Sequence, residues 1–139
     1  MIDRAFLQIT VYISILVQIL TGLVSFSGVF TKLNDKDKIL TEILVLETVV
    51  QIVEGIFYLY LAYSLKYIST NVVARRRYID WIITTPIMLL STIMYMDYEK
   101  KKKENKTINA ISFIKNNRKN ITNMILANTL MLIAGFLAE

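Results

Sequence analysis

The chain has 139 residues, 55% of them hydrophobic, with sixteen Lys and Arg against eleven Asp and Glu for a net charge of +5. That apolar share exceeds the soluble-domain average of about 45–50%, which already counts glycine. Cysteine and histidine are both absent, which excludes disulfide frameworks, thiolate or imidazole metal centres and hydrolytic triads, so neither a metal site nor an enzyme is expected.

The first apolar segment is expected over 5–30. Its stretch from Phe6 to Phe30 runs 25 residues without a charge, more than the roughly 20 that cross a bilayer core. It is too long for a secretory leader, and the preceding Asp3-Arg4 supplies no net positive charge. Thr10, Ser14, Gln18, Thr21 and Ser25 step by 4, 4, 3 and 4, one polar stripe down a helix. Two readings of the stripe stand together, hydrogen bonding between helices and the lining of a pore.

A charged loop leads to the second segment, 39–65. Here Glu47, Gln51, Glu54 and Tyr58 step by 4, 3 and 4 along one face, while Glu42 lies off that face near the loop end and reads as interfacial. Two carboxyls on one face in lipid must meet water, a cation or a shared proton.

The third segment, 77–96, opens with Arg77-Tyr78-Ile79-Asp80-Trp81-Ile82-Ile83-Thr84-Thr85-Pro86. Arg77, Asp80, Thr84 and Ser91 fall within about 60° of one another on one helix face, with Trp81, Thr85 and Met88 as an adjacent stripe. Pro86 removes one helical hydrogen bond, which the hydroxyls of Thr84 and Thr85 are expected to offset. The connection 97–119 is the most basic part of the chain, and Ile108, Ile111 and Ile114 in it repeat as a short amphipathic helix suited to a membrane surface. The fourth segment covers 120–138.

The expected fold is therefore an all-α integral membrane protein with four transmembrane helices in one membrane domain, 1–139. Eleven Lys and Arg lie in the first and third connections, against five on the other side. The positive-inside rule then puts the N-terminus outside and the basic connection in the cytoplasm. The charge reports topology, and no nucleic-acid partner is expected.

The third segment resembles the third helix of microbial (type 1) rhodopsins, seven-helix retinal proteins with the pattern Arg-Tyr-x-Asp-Trp-x-x-Thr-Thr-Pro-x-x-Leu. Ala127-Asn128-Thr129-Leu130-Met131-Leu132-Ile133-Ala134-Gly135 resembles their fourth helix. The resemblance implies Asp80 as counterion of a protonated retinal Schiff base, Arg77 as the arginine on its extracellular side, and Thr84 as the hydroxyl bonded to the counterion. It implies a retinal pocket of Tyr78, Trp81, Thr85, Met88, Asn128, Met131 and Gly135. A buried imine cation needs such a carboxylate, and light-driven loss of the pair is how these proteins gate or pump.

Ser91 stands where outward proton pumps of this family carry a carboxylic proton donor, which argues against a bacteriorhodopsin-type pump. The second segment, Glu47-Thr48-Val49-Val50-Gln51-Ile52-Val53-Glu54, is similar to the second helix of viral rhodopsins from giant viruses of protists, one group of which are light-gated cation channels. That similarity implies an ion pathway of Ser14, Gln18, Glu47, Gln51 and Glu54 with Asp80, whose anionic groups favour cations.

In the family a lysine on the seventh helix holds retinal. No lysine here lies inside an apolar segment, and Lys66 sits at the end of the second. The 139 residues thus resemble the first four helices only, so helices five to seven (E–G) are expected from elsewhere if retinal binds. The expected partners are the lipid bilayer, retinal, cations or protons, and those helices, with self-association into a homo-oligomer left open. Three functions follow: a retinal photoreceptor that is a light-gated cation channel, a light-driven proton pump using Glu47 or Glu54, or a truncated four-helix membrane protein without retinal.

Overall fold

The computed structural model describes residues 4–65, 67 and 70–138; Lys66 lies outside the described residues. Five α-helices follow one another: α1 Arg4–Val29, α2 Lys38–Ser64, α3 Thr70–Lys103, α4 Ala110–Asn116 and α5 Arg118–Ala138, with a 3-10 turn at Asp35–Asp37 before α2. Three of them, α1, α3 and α5, are long and apolar enough to cross a membrane. The 27 residues of α2 match them in length, but Glu42, Glu47 and Glu54 interrupt its apolar run.

Each long helix packs on its predecessor, α1 on α2, α2 on α3 and α3 on α5. The pairing is antiparallel throughout. Gly28 meets Leu44 while Gln18 meets Glu54, Ser91 meets Glu47 while Arg77 meets Tyr58, and Thr85 meets Asn128 while Tyr78 meets Gly135. The result is an open arc with a convex and a concave face. Leu16, Leu20 and Leu23 of α1, Ile52, Ile56 and Leu59 of α2, and Ile79, Ile82 and Ile83 of α3 are exposed outward. In water that surface would be costly; in lipid it faces its own kind.

Lipid offers no hydrophobic drive between helices, so close approach and polar contacts must hold the arc. Two glycines provide the approach. A Cβ at Gly28 would stand 2.7 Å from Leu44 Cδ2, and one at Gly135 2.7 Å from Tyr78 Oη. Apolar clusters close both ends: Val11, Leu61, Leu65 and Val73 at one, and Ile39, Ile43, Met94, Tyr98, Ile108, Phe113 and Ile121 at the other.

The third helix extends well past the expected 77–96. Its 34 residues span about 51 Å at 1.5 Å per residue, against a hydrocarbon core of about 30 Å. Beyond Met96 the helix is carried by polar pairs: Asp97 to Lys101 at 2.9 Å and Lys102 Nζ donating to Tyr98 Oη at 2.7 Å. Four lysines in its last turn also favour the carbonyl end of the helix dipole.

The connection that follows holds α4. Asn109 caps it by accepting from Ser112 N at 2.8 Å, and Glu42 Oε2 accepts from Ala110 N at 2.7 Å. Glu42 is therefore an anchor for α4 rather than a bystander at the interface. Pro86 deprives the Ile82 carbonyl of its helical donor. The nearby threonines do not replace it: Thr84 Oγ1 donates to Asp80 O at 3.1 Å and Thr85 Oγ1 to Trp81 O at 2.6 Å.

Candidate functional site

Asp80, Thr84 and Ser91 share the face of α3 that meets α2, and all three are buried, Asp80 with 6% of its surface exposed. One oxygen of Asp80, Oδ1, is buried without a hydrogen-bond partner. Thr84 is next to it, yet its hydroxyl goes to the Asp80 main-chain oxygen and not to the carboxylate expected from the sequence. Glu54 and Arg77 are the charged groups within Coulombic reach of Asp80.

Arg77 is held from α2: its Nη2 donates to Tyr58 Oη at 3.1 Å. Of the neighbouring arginines, Arg76 is also held from α2 and Arg75 meets an aromatic ring of α5. Arg76 donates to the Tyr60 hydroxyl and lies 5.4 Å from that ring, and Arg75 lies 5.9 Å from the Phe136 ring. The tyrosines were not among the expected site residues. Tyr58 stood on the Glu47–Gln51–Glu54 stripe, which was the available signal; nothing in the sequence marked Tyr60.

The polar stripe of α2 turns to the concave side of the arc, between its contacts with α1 and α3. Gln18 Nε2 of α1 donates to Glu54 Oε2, and the Ser91 hydroxyl of α3 donates to Glu47. Gln51 Oε1 is buried and unpartnered, opposite Gly22, whose missing Cβ would stand 3.5 Å away. Ser14 is half-buried one turn from Gln18 on the same face of α1. Two members of the first segment's stripe do not contribute. Half-buried Thr10 and exposed Thr21 donate to carbonyls of their own helix, as helical threonine hydroxyls commonly do.

A second group lies on the seam of α3 and α5. Asn128, buried, donates from Nδ2 to Thr85 Oγ1 at 2.9 Å. Tyr78 packs edge-on against Trp81 at 5.1 Å and Phe136 at 5.8 Å, over Gly135. Helical phase puts Trp81, Met88 and Met131 on one side of this seam, the concave side. The opposite side is a lipid-facing groove of about 300 Å³ lined by Tyr78, Ile79, Ile82, Leu132, Ile133, Phe136 and Leu137. Met88 and Met131 remain 43% and 61% exposed; the four long helices supply one wall for them and no opposite wall.

The chemistry available is consistent across the arc. A buried carboxylate with an unpaired oxygen suits a cation delivered from the open side, and an aromatic and thioether surface beside it suits a flat apolar group. The residues thus fit part of a retinal site. Among the described residues no lysine lies within the apolar part of α1, α3 or α5 to attach it.

No curated protein matches the chain. The family model described as "Bacteriorhodopsin-like protein" matches residues 5–139, nearly the whole sequence. With its apolar helices and its buried aspartate beside Thr84 and Trp81, the chain belongs to the bacteriorhodopsin-like protein family of integral membrane proteins.

Proposed function

We propose that the chain is the first part of a retinal photoreceptor that conducts cations in light, with kinship to the viral branch of microbial rhodopsins. In this reading α2 crosses the membrane with the other three long helices, packed between α1 and α3. The N-terminus is outside and the lysine-rich end in the cytoplasm, by the excess of basic residues there. Helices five to seven, with the attaching lysine, close the concave side.

The observation that carries the reading is the set of carboxylates along α2 and its seam with α3: Glu47, Glu54 and buried Asp80, none in an ion pair among the described residues. Unneutralised anionic groups at membrane depth are retained where they serve a cation or water path. Retinal, when bound, supplies light absorption and a cationic centre. Asp80 would balance that charge, Arg77 would be positioned by Tyr58 on the extracellular side, and Trp81, Met88 and Met131 would hold the polyene. Thr85 and Asn128 would keep α3 and α5 in register beside it.

The test is the light-evoked current of cells expressing the chain together with helices five to seven of a family member. A current whose reversal potential follows the imposed cation gradient supports the channel. A current indifferent to that gradient refutes it.

One observation favours a pump instead. Ser91 lacks a carboxyl, but its hydroxyl donates to Glu47, which restores an acid at the position where a proton donor would act. Light-driven acidification outside the cells, abolished by a protonophore and insensitive to cation gradients, would identify that activity. If purified chain with those helices leaves retinal absorbing as the free molecule, the chain is a membrane scaffold without chromophore.

A further inference from the structure

The lysine-rich end carries charge that the protein does not neutralise. Three lysines there have carboxylate partners: Lys101 with Asp97 at 2.9 Å, Lys102 with Asp37 at 3.4 Å and Lys106 with Glu104 at 2.8 Å. Lys100, Lys103, Lys115, Arg118 and Lys119 are exposed and make no ion pair among the described residues. Lys32, Lys36 and Lys38, at the same end, are also exposed and without one. Asp35, Glu42 and Glu99 remain there as carboxylates without an ion pair among the described residues, Glu42 accepting from the Ala110 N–H of α4.

Geometry places these cations at a bilayer surface. Ile108 and Phe113 fasten α4 and its lead-in to Ile39, Ile43, Met94, Tyr98 and Ile121, residues at the ends of the spanning helices. That contact holds α4 at the level where the apolar part of α3 gives way to lysine. On α4 itself Ile111 and Ile114 share one face and are 68% and 41% exposed, with Lys115 beside them. An apolar face next to unpaired cations, fixed at the edge of a membrane span, matches the layered chemistry of acyl chain and headgroup.

We propose that this end is a docking surface for anionic lipid headgroups, with Ile111 and Ile114 seated at the acyl boundary and Lys100, Lys103, Lys115, Arg118 and Lys119 facing the phosphates. Charge complementarity selects the occupant: cytoplasmic leaflets carry the anionic lipids, and basic clusters next to a membrane helix attract them. The proposal rests on the chain crossing a membrane with its lysine-rich end in the cytoplasm. It needs neither retinal nor ion conduction, so its failure and that of the photoreceptor reading are separable.

The test uses the 139-residue chain reconstituted in phosphatidylcholine bilayers, with spin-labelled phosphatidylserine or phosphatidylcholine as the reporter of lipid held at the protein. At 0.1 M salt phosphatidylserine should be preferred about threefold or more, and the preference should fall toward one at 1 M as charges are screened. The variant K100Q/K103Q/K115Q/K119Q alters exposed, unpaired side chains and should keep its helix content while the preference drops below about half the original. A wild-type ratio near one, or one that persists at 1 M salt, overturns the proposal without needing the variant. So does an unchanged ratio in a folded variant, or loss of the wild-type preference on adding inorganic phosphate at constant ionic strength, which would mean a small-anion site.

Discussion

The same acidic side chains are treated in opposite ways at two depths of this molecule. At the lysine-rich end Asp37, Asp97 and Glu104 each meet a lysine. Along α2 and its seam with α3, Glu47 and Glu54 are bound by neutral groups, Ser91 and Gln18, and Asp80 keeps an oxygen without a hydrogen-bond partner. The deeper set is the costlier one, because a charge in lipid costs several times what it does at the surface. With only Arg77 as a nearby cation, that set must meet water, a shared proton or a cation from outside the chain, and the proposed function takes the last of these. Surface pairs, by contrast, contribute about 0–1 kcal/mol each and mainly tie loops to helices.

The sharpest way to break this contrast is to neutralise Asp80. Asp80→Asn deletes the buried charge proposed to balance the retinal cation, so the variant assembled with helices five to seven and retinal should lose light-evoked current more than tenfold. A current within twofold of wild type would remove Asp80 from the role given to it.

Glu54→Gln comes next. It keeps the size of the side chain facing Gln18 but deletes the charge, and should cut cation current severalfold while the retinal band persists. Glu47→Gln separates the two transport readings: a channel should keep most of its current, while a pump using Glu47 should stop acidifying the medium.

Packing supplies a smaller, purely structural test. Gly135→Ala places a methyl 2.7 Å from Tyr78 Oη and 3.1 Å from its Cε1, an overpacking worth about 1–3 kcal/mol. The melting temperature followed by helix signal should fall, and Tyr78→Phe in the same chain should recover part of the loss.

Much of this contrast was legible in the residues, and the reason lies in helical periodicity. Steps of 4, 3 and 4 put Glu47, Gln51, Glu54 and Tyr58 on one face before any coordinates, and the Arg77 to Pro86 pattern marked the family. Hydroxyl stripes were less informative, because Thr10 and Thr21 can satisfy themselves on their own carbonyls and so carry no direction. The ends of α3 were hidden for another reason. Hydropathy stops at Met96, but Asp97 and Lys101 pair within the helix, and Tyr98 and Lys102 extend it through contacts that a neighbouring element, the Asp37 turn, completes. Tyr58 and Tyr60 reach their arginines across the α2–α3 connection, a contact that no spacing within one helix encodes.

The smallest expected effect concerns that turn. The Tyr98 hydroxyl, followed by Lys102, holds the Asp37 carboxyl below its ordinary 3.8. A carboxyl lowered by folding stabilises the fold above its unfolded value and loses that contribution as pH falls through the lower, folded one. Wild type and Tyr98→Phe should therefore differ in melting temperature by a constant amount above about pH 4, and the gap should close only below 3.8.

The central claim is that buried Asp80 awaits a cation on retinal. Its most direct measurement is the visible absorption band of the chain assembled with a lysine-bearing fifth-to-seventh helix segment, compared with the same assembly carrying Asp80→Asn. A retinal band in the wild type that is displaced or lost in the variant is the expected result. Identical bands in the two, or no band beyond that of free retinal in the wild type, would contradict it.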